Sequence, residues 1–183
     1  MAMEQKMSEL ETAEKLDDSE RYRCIHAAKW CEYGQKTDDE VVKFMLYWVA
    51  FNWLYNDDHY RPPKPNGEVL SEREIIINFV KKEYTKLINY DPFKAPEGKF
   101  FLRRGPVKDQ RNGVSQSKDY KKIKSRDSYV RVEGMFMTLY TVRCNLFHGN
   151  KEYNERSDSA VVCAAAKIIG EYLKTVLDVE ADT

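Results

Sequence analysis

The sequence predicts an all-α protein, an up-and-down bundle of four to five main helices with a long basic insertion before the motif helix. Three observations carry this reading. Five segments repeat apolar residues at helical spacing. Two of them open on capping-box patterns, Thr37-Asp-Asp-Glu40 and Ser71-Glu-Arg-Glu74. No apolar-polar alternation is long enough for a sheet, and only Lys99 to Leu102 reads as an isolated strand.

Residues 1–19 carry most of an acidic stretch. From 1 to 20, seven acids stand against Lys6 and Lys15, a net charge of −5. This predicts an acidic tail or a short frayed helix. The helical domain spans 20–178, and 179–183 form a C-terminal tail. The first strong helix runs from about Asp18 to Tyr33, with Gly34 as its stop. The second runs from Thr37 to about Asn56 and is apolar nearly all round, which places it at the centre of the bundle. Pro62, Pro63, Pro65 and Gly67 make the next loop. The third helix covers about Ser71 to Asn89. The fourth runs from Asp127 or Ser128 to about His148, where Gly149 can take a left-handed cap. The fifth runs from about Asp158 to Leu177.

The insertion occupies about 91–126. Between Lys94 and Arg131, twelve basic residues face four acidic ones, a net of +8. A segment of this length and composition is either a solvated surface insertion or a basic flap that meets a polyanion. Arg103, Arg104, Lys121, Lys122 and Lys124 are the candidate RNA contacts.

The whole chain of 183 residues has 30 basic and 30 acidic side chains. Zero formal charge argues against a dedicated DNA-coating protein and leaves a local basic site open. Cys24, Cys31, Cys144 and Cys163 lack zinc-ligand spacing and read as buried reduced thiols. The polar N-terminus has no signal-peptide pattern, and the apolar run Val41 to Tyr55 is too short to span a bilayer. The expected compartment is the cytoplasm. No cofactor and no metal are expected.

On a helical wheel of the fourth helix, Val132, Met135, Phe136, Leu139, Val142, Leu146 and Phe147 form a core stripe. Arg143 lies inside that stripe, so it must snorkel out or find an anionic partner. The opposite band is small and polar: Gly134, Met137, Thr138, Thr141, Cys144, Asn145 and His148. It suits close approach of another helix, from the same chain or from a second subunit. Arg143 and His148 lie about 140 degrees apart on an ideal helix. They converge if the arginine swings round, if the helix turns at His148-Gly149, or across a two-fold axis.

Val142-Arg-Cys-Asn-Leu-Phe-His-Gly-Asn-Lys151 resembles the Arg-x4-His motif segment of HEPN domains, in a bacterial and plasmid-borne branch. The second helix, Phe44 to Asn56, resembles that branch as well. So does the order of apolar helix, insertion, motif helix and closing helix. The residue after the arginine, usually polar in the family, is Cys144 here; Asn145 follows one position later and is an approximate match. The resemblance implies a metal-independent endoribonuclease with a toxin or phage-defence role, working as a homodimer with a composite active site. It also implies an RNA substrate, tRNA or mRNA, and in some systems an antitoxin protein. The alternative is a catalytically inactive module that binds RNA, a nucleotide or a partner protein. A third reading makes Arg143 a salt bridge within a helical interaction subunit.

The residue types suit RNA cleavage, in which the 2′-hydroxyl is the nucleophile. His148 can act as acid or base near neutrality, and Arg143 can hold the phosphate oxygens. Asn145 completes the catalytic set. Asn52, a polar group in the most apolar helix, needs a partner: it ties helices together or orients His148 or Arg143. Tyr47, Tyr55 and Tyr140 at helical spacing read as core, and His26 and His59 as structural or surface groups.

Overall fold

The computed structural model describes residues 2–87, 91–109, 113–147 and 156–177; within them, the side chains of 2–17, 85–87, 156 and 157 are not described. The described residues form seven α-helices, one 3₁₀ turn at Asp58–Tyr60 and one two-stranded ladder. The all-α bundle is therefore the fold.

Helix α1 (Ala2–Gln35) is continuous, with no break between the acidic stretch and the first strong helix. It passes through Gly34 and stops one residue later. Gly34 is there for space: a Cβ at this position would overlap the Tyr47 ring. Helix α2 (Glu40–Tyr55) begins on Asp39 rather than on the expected Thr37. The Asp39 carboxylate accepts from Val41 N at 2.8 Å and Val42 N at 3.0 Å, while Thr37 Oγ1 only accepts from Asp39 N. An aspartate two residues nearer the helix fills the capping role better because it reaches the free N–H groups directly.

Helix α3 (Glu72–Leu87) has the capping box its sequence predicts. Ser71 N donates to Glu74 Oε2 at 2.8 Å, and Glu74 N donates back to Ser71 Oγ at 3.4 Å. Helix α6 (Ser128–Phe147) and helix α7 (Arg156–Leu177) complete the main bundle. Their aromatic core is a cluster from four helices. Phe51 of α2 stacks on Phe136 of α6 at 5.2 Å, with Tyr172 of α7 edge-on to both and Phe79 of α3 edge-on to Phe51. Full burial of each such side chain contributes roughly 1.5–3 kcal/mol. Helix α2 sits centrally, as its apolar circumference predicts, with Phe44, Tyr47, Trp48, Ala50, Phe51 and Tyr55 buried.

The insertion is folded. Lys99 to Leu102 lies within helix α4 (Pro96–Arg104) and is not a strand. Pro96 in the first turn favours the helix start, and burial of Gly98 and Phe101, three apart, requires helical periodicity. The ladder instead pairs β1 (Lys108–Asp109) antiparallel with β2 (Val114–Ser115). Helix α5 (Ser117–Ile123) then packs on α6. Asp119 of α5 is fully buried, and Arg73 of α3 donates to it at 2.6 Å. That ion pair anchors the insertion to the bundle.

Candidate functional site

Helix α6 is buried on both sides. Val132, Met135, Phe136, Leu139 and Val142 face the bundle as predicted, but Leu146 is half-buried and Phe147 is 48% exposed. Leu146 still packs against the core, and the stripe runs out only at Phe147. The small polar band is also buried, and the insertion covers part of it. A Cβ at Gly134 would lie 2.8 Å from Ile123 N and 2.6 Å from Lys122 Cβ, both on α5. The Thr138 and Thr141 hydroxyls donate to the carbonyls of Gly134 and Met137, which satisfies them inside the helix. Close approach along this band comes from the same chain.

Arg143 rises from the last described turns of α6 toward the N-terminus of α3. Its Nη1 lies 3.1 Å from Glu72 Oε2, and its guanidinium sits 4.7 Å from the centre of the Phe147 ring. The side chain is about a quarter exposed. Its Nε is buried without a hydrogen-bond partner among the described residues. Tyr55 Oη donates to the other Glu72 oxygen at 2.6 Å. Burial, then the hydrogen bond to Glu72 and its charge, push the Tyr55 hydroxyl far above the ordinary tyrosine range, so it remains a donor. Arg143 has thus found the anionic partner that its place in the stripe demanded. Glu72 was not a sequence candidate because it sits in an exposed-looking capping box.

Asn145 is half-buried in the last turn of α6, and its Nδ2 donates to Lys108 O of β1 at 2.8 Å. It joins the insertion to the turn that carries Arg143. His148, with Gly149 and its expected cap, lies outside the described residues. Asn52 has no hydrogen bond to Arg143 among the described residues. It lines a cleft of about 360 Å³ with Ser19, Arg23, Trp53, Asn56 and Asp57, on the α1 side of α2. Arg23 and Asp57 form an ion pair across the same cleft.

The basic candidates separate by environment. Arg103, Arg104, Lys121 and Lys124 are exposed. Tyr120 Oη donates to Leu102 O at 2.9 Å, which holds α5 against the end of α4 that carries the two arginines. Lys124 lies 4.3 Å from the centre of the Tyr120 ring. Lys122 is ion-paired with Glu133 of α6 and serves the packing of α5. Tyr47 and Tyr55 are core as expected, and Tyr140 is half-buried. His26 stacks on Trp53 at 4.6 Å, and His59 is exposed on the 3₁₀ turn. Cys31 and Cys144 are buried, Cys24 and Cys163 half-buried, and none of the four forms a disulfide among the described residues. No helix among the described residues is long and apolar enough to cross a membrane.

Comparison with known protein families, with curated proteins and with solved structures finds no match.

Proposed function

We propose that this chain is a metal-independent endoribonuclease of HEPN type with a toxin or phage-defence role. The carrying observation is the half-committed guanidinium of Arg143. Glu72 takes one nitrogen of it, Phe147 lies against it, and about a quarter of the side chain stays open to solvent. A phosphate oxygen is a suitable acceptor for a fixed guanidinium donor. The exposed Arg103, Arg104, Lys121 and Lys124 supply sequence-independent attraction for an RNA backbone. Asn145 links their subdomain to the Arg143 turn.

In this reading His148 takes the proton from the RNA 2′-hydroxyl. The oxygen attacks the adjacent phosphorus, Arg143 stabilises the added negative charge, and the P–O5′ bond breaks. The leaving oxygen takes a proton from a second acid, His148 of another copy in a homodimer with a composite site. The products are a 2′,3′-cyclic phosphate and a 5′-hydroxyl, with no net change in atoms. Proton transfer of this kind contributes roughly 10²- to 10⁴-fold. The RNA is tRNA or mRNA, and an antitoxin protein would act by covering this face.

The Glu72 pair favours a second reading, a catalytically inactive HEPN-type module in which Arg143 braces α6 against α3. Total RNA and tRNA incubated in EDTA with wild type, His148→Ala and Arg143→Ala separate the two. Cleavage by wild type alone, with cyclic phosphate ends, supports the nuclease. Cleavage that survives either substitution, or that EDTA abolishes, overturns this mechanism. RNA binding without cleavage supports the module.

A further inference from the structure

A second polar cavity lies at the opposite end of α2 from Tyr55, between the C-terminal end of α1, the first turns of α2 and the later turns of α7. Its volume is about 380 Å³, within the range of small-molecule sites. We propose that it binds a phosphate ester that carries hydroxyl groups, of the nucleotide or sugar-phosphate class. This does not depend on the ribonuclease reading.

Four lysines line the cavity: Lys36, Lys43, Lys167 and Lys174. Two carboxylates line it with them, Glu40 and Glu171, so the wall carries a formal charge of +2 in a chain whose total is zero. All four lysines are paired: Lys43 and Lys174 with those carboxylates at 2.8 and 3.2 Å, Lys167 with Glu97 at 3.3 Å, and Lys36 with Glu32 outside the lining. Such partly exposed pairs are weak, and a dianionic phosphate can recruit their ammonium groups.

The mixed lining sharpens the ligand class. The lysines suit phosphate oxygens, while the Glu40 and Glu171 carboxylates beside them repel a phosphate and accept from O–H or N–H groups. A bare anion meets only the first kind of group; a phosphorylated polyol meets both.

One wall of the cavity is closely packed. Tyr47 forms part of its wall with its ring held between two glycines. A Cβ at Gly170 would lie 2.6 Å from Tyr47 Cε2, and one at Gly34 would overlap the opposite ring edge. Burial raises the Tyr47 hydroxyl to about 12, so it stays a neutral donor at physiological pH.

Calorimetric titration of the full chain tests this with three probes: AMP, ribose 5-phosphate and inorganic phosphate, without RNA. Both esters, or AMP alone, are expected to bind at least about tenfold tighter than phosphate. AMP alone identifies the nucleotide class, and equal binding of the two esters identifies the sugar phosphate. Lys43→Gln and Lys174→Gln, each verified as folded by its melting curve, are expected to weaken binding about tenfold. The exposed Lys81→Gln on α3 is expected to leave it unchanged. No binding by either ester, phosphate binding as tightly as the esters, or equal loss in Lys81→Gln would each overturn the proposal.

Discussion

Glu72 is shared between Arg143 and Tyr55: Oε2 lies 3.1 Å from the arginine Nη1, and Oε1 accepts from the tyrosine hydroxyl at 2.6 Å. One carboxylate thereby fixes the side chain proposed to meet RNA and locks it to the centre of the bundle. The two roles oppose each other. A paired guanidinium is well placed but partly neutralised, so in the proposed function Glu72 would set how strongly Arg143 attracts a phosphate.

Glu72→Gln separates these roles. Glutamine still offers Tyr55 an acceptor and removes the charge opposite Arg143. A partly exposed pair of this kind contributes about 1 kcal/mol, and its loss lowers the melting temperature of a chain this size by roughly 2–4 °C. RNA affinity, read by filter binding at low salt, is expected to rise about threefold. An unchanged affinity with the same loss of stability means that Arg143 only braces the bundle.

The Gly134 contact predicts how the insertion is held. Alanine there would place a Cβ 2.8 Å from Ile123 N, a backbone atom that cannot rotate away. Gly134→Ala should lift α5 from α6 and cost about 1–3 kcal/mol. Hydrogen exchange is expected to accelerate in 117–123 while Phe44 to Tyr55 of α2 keeps its protection. Uniform loss across α2 would mean that the insertion and the bundle unfold as one unit.

The bundle is legible in the sequence because periodicity, capping and burial agree there. Phe44 to Tyr55 is apolar nearly all round, and none of its residues is exposed. The Ser71–Glu74 box reads directly because both partners lie within one turn. The insertion is less legible because its packing rests on tertiary choices, such as the burial of Asp119 against Arg73, which no local pattern encodes. The site is legible only in part. The wheel shows that Arg143 needs an anion, but Glu72 lies 71 positions earlier (143 − 72), and no spacing rule connects them. Asn52 shows the converse. Its polarity in an apolar helix is visible, but only the fold shows that it faces Arg23 and Asp57.

Tyr47 between Gly34 and Gly170 predicts a strong coupling across three helices. Gly170→Ala should destabilise the chain by about 1–3 kcal/mol through overlap with the ring. In a Tyr47→Leu background the same alanine has room, so its cost should fall to a few tenths of a kcal/mol. Urea denaturation of the two single variants and the double variant measures the difference. Additive losses would show that Gly170 is required for some reason other than the ring.

The same tyrosine makes alkaline stability testable. Burial raises Tyr47 from its ordinary value of 10.0 to about 12, with Cys31, Glu40 and Glu171 adding to the shift. Burial, joined by the Glu133 charge, does the same for Tyr129, to about 12. Burial lifts the Cys31 thiol from 9.0 to about 11, and the nearby Lys174 opposes the shift. In each case the folded state holds the proton more tightly than the unfolded chain does. The associated stability is therefore fully present below about pH 9 and is lost as pH rises through the folded values, across about pH 9–12. Unfolding free energies from urea titrations at pH 8, 10 and 11 are expected to fall steadily. Tyr47→Phe keeps the ring between its glycines and removes one titrating group, so its curve should fall less steeply above pH 10. A variant curve parallel to wild type would show that the Tyr47 hydroxyl ionises as freely in the folded chain as in water.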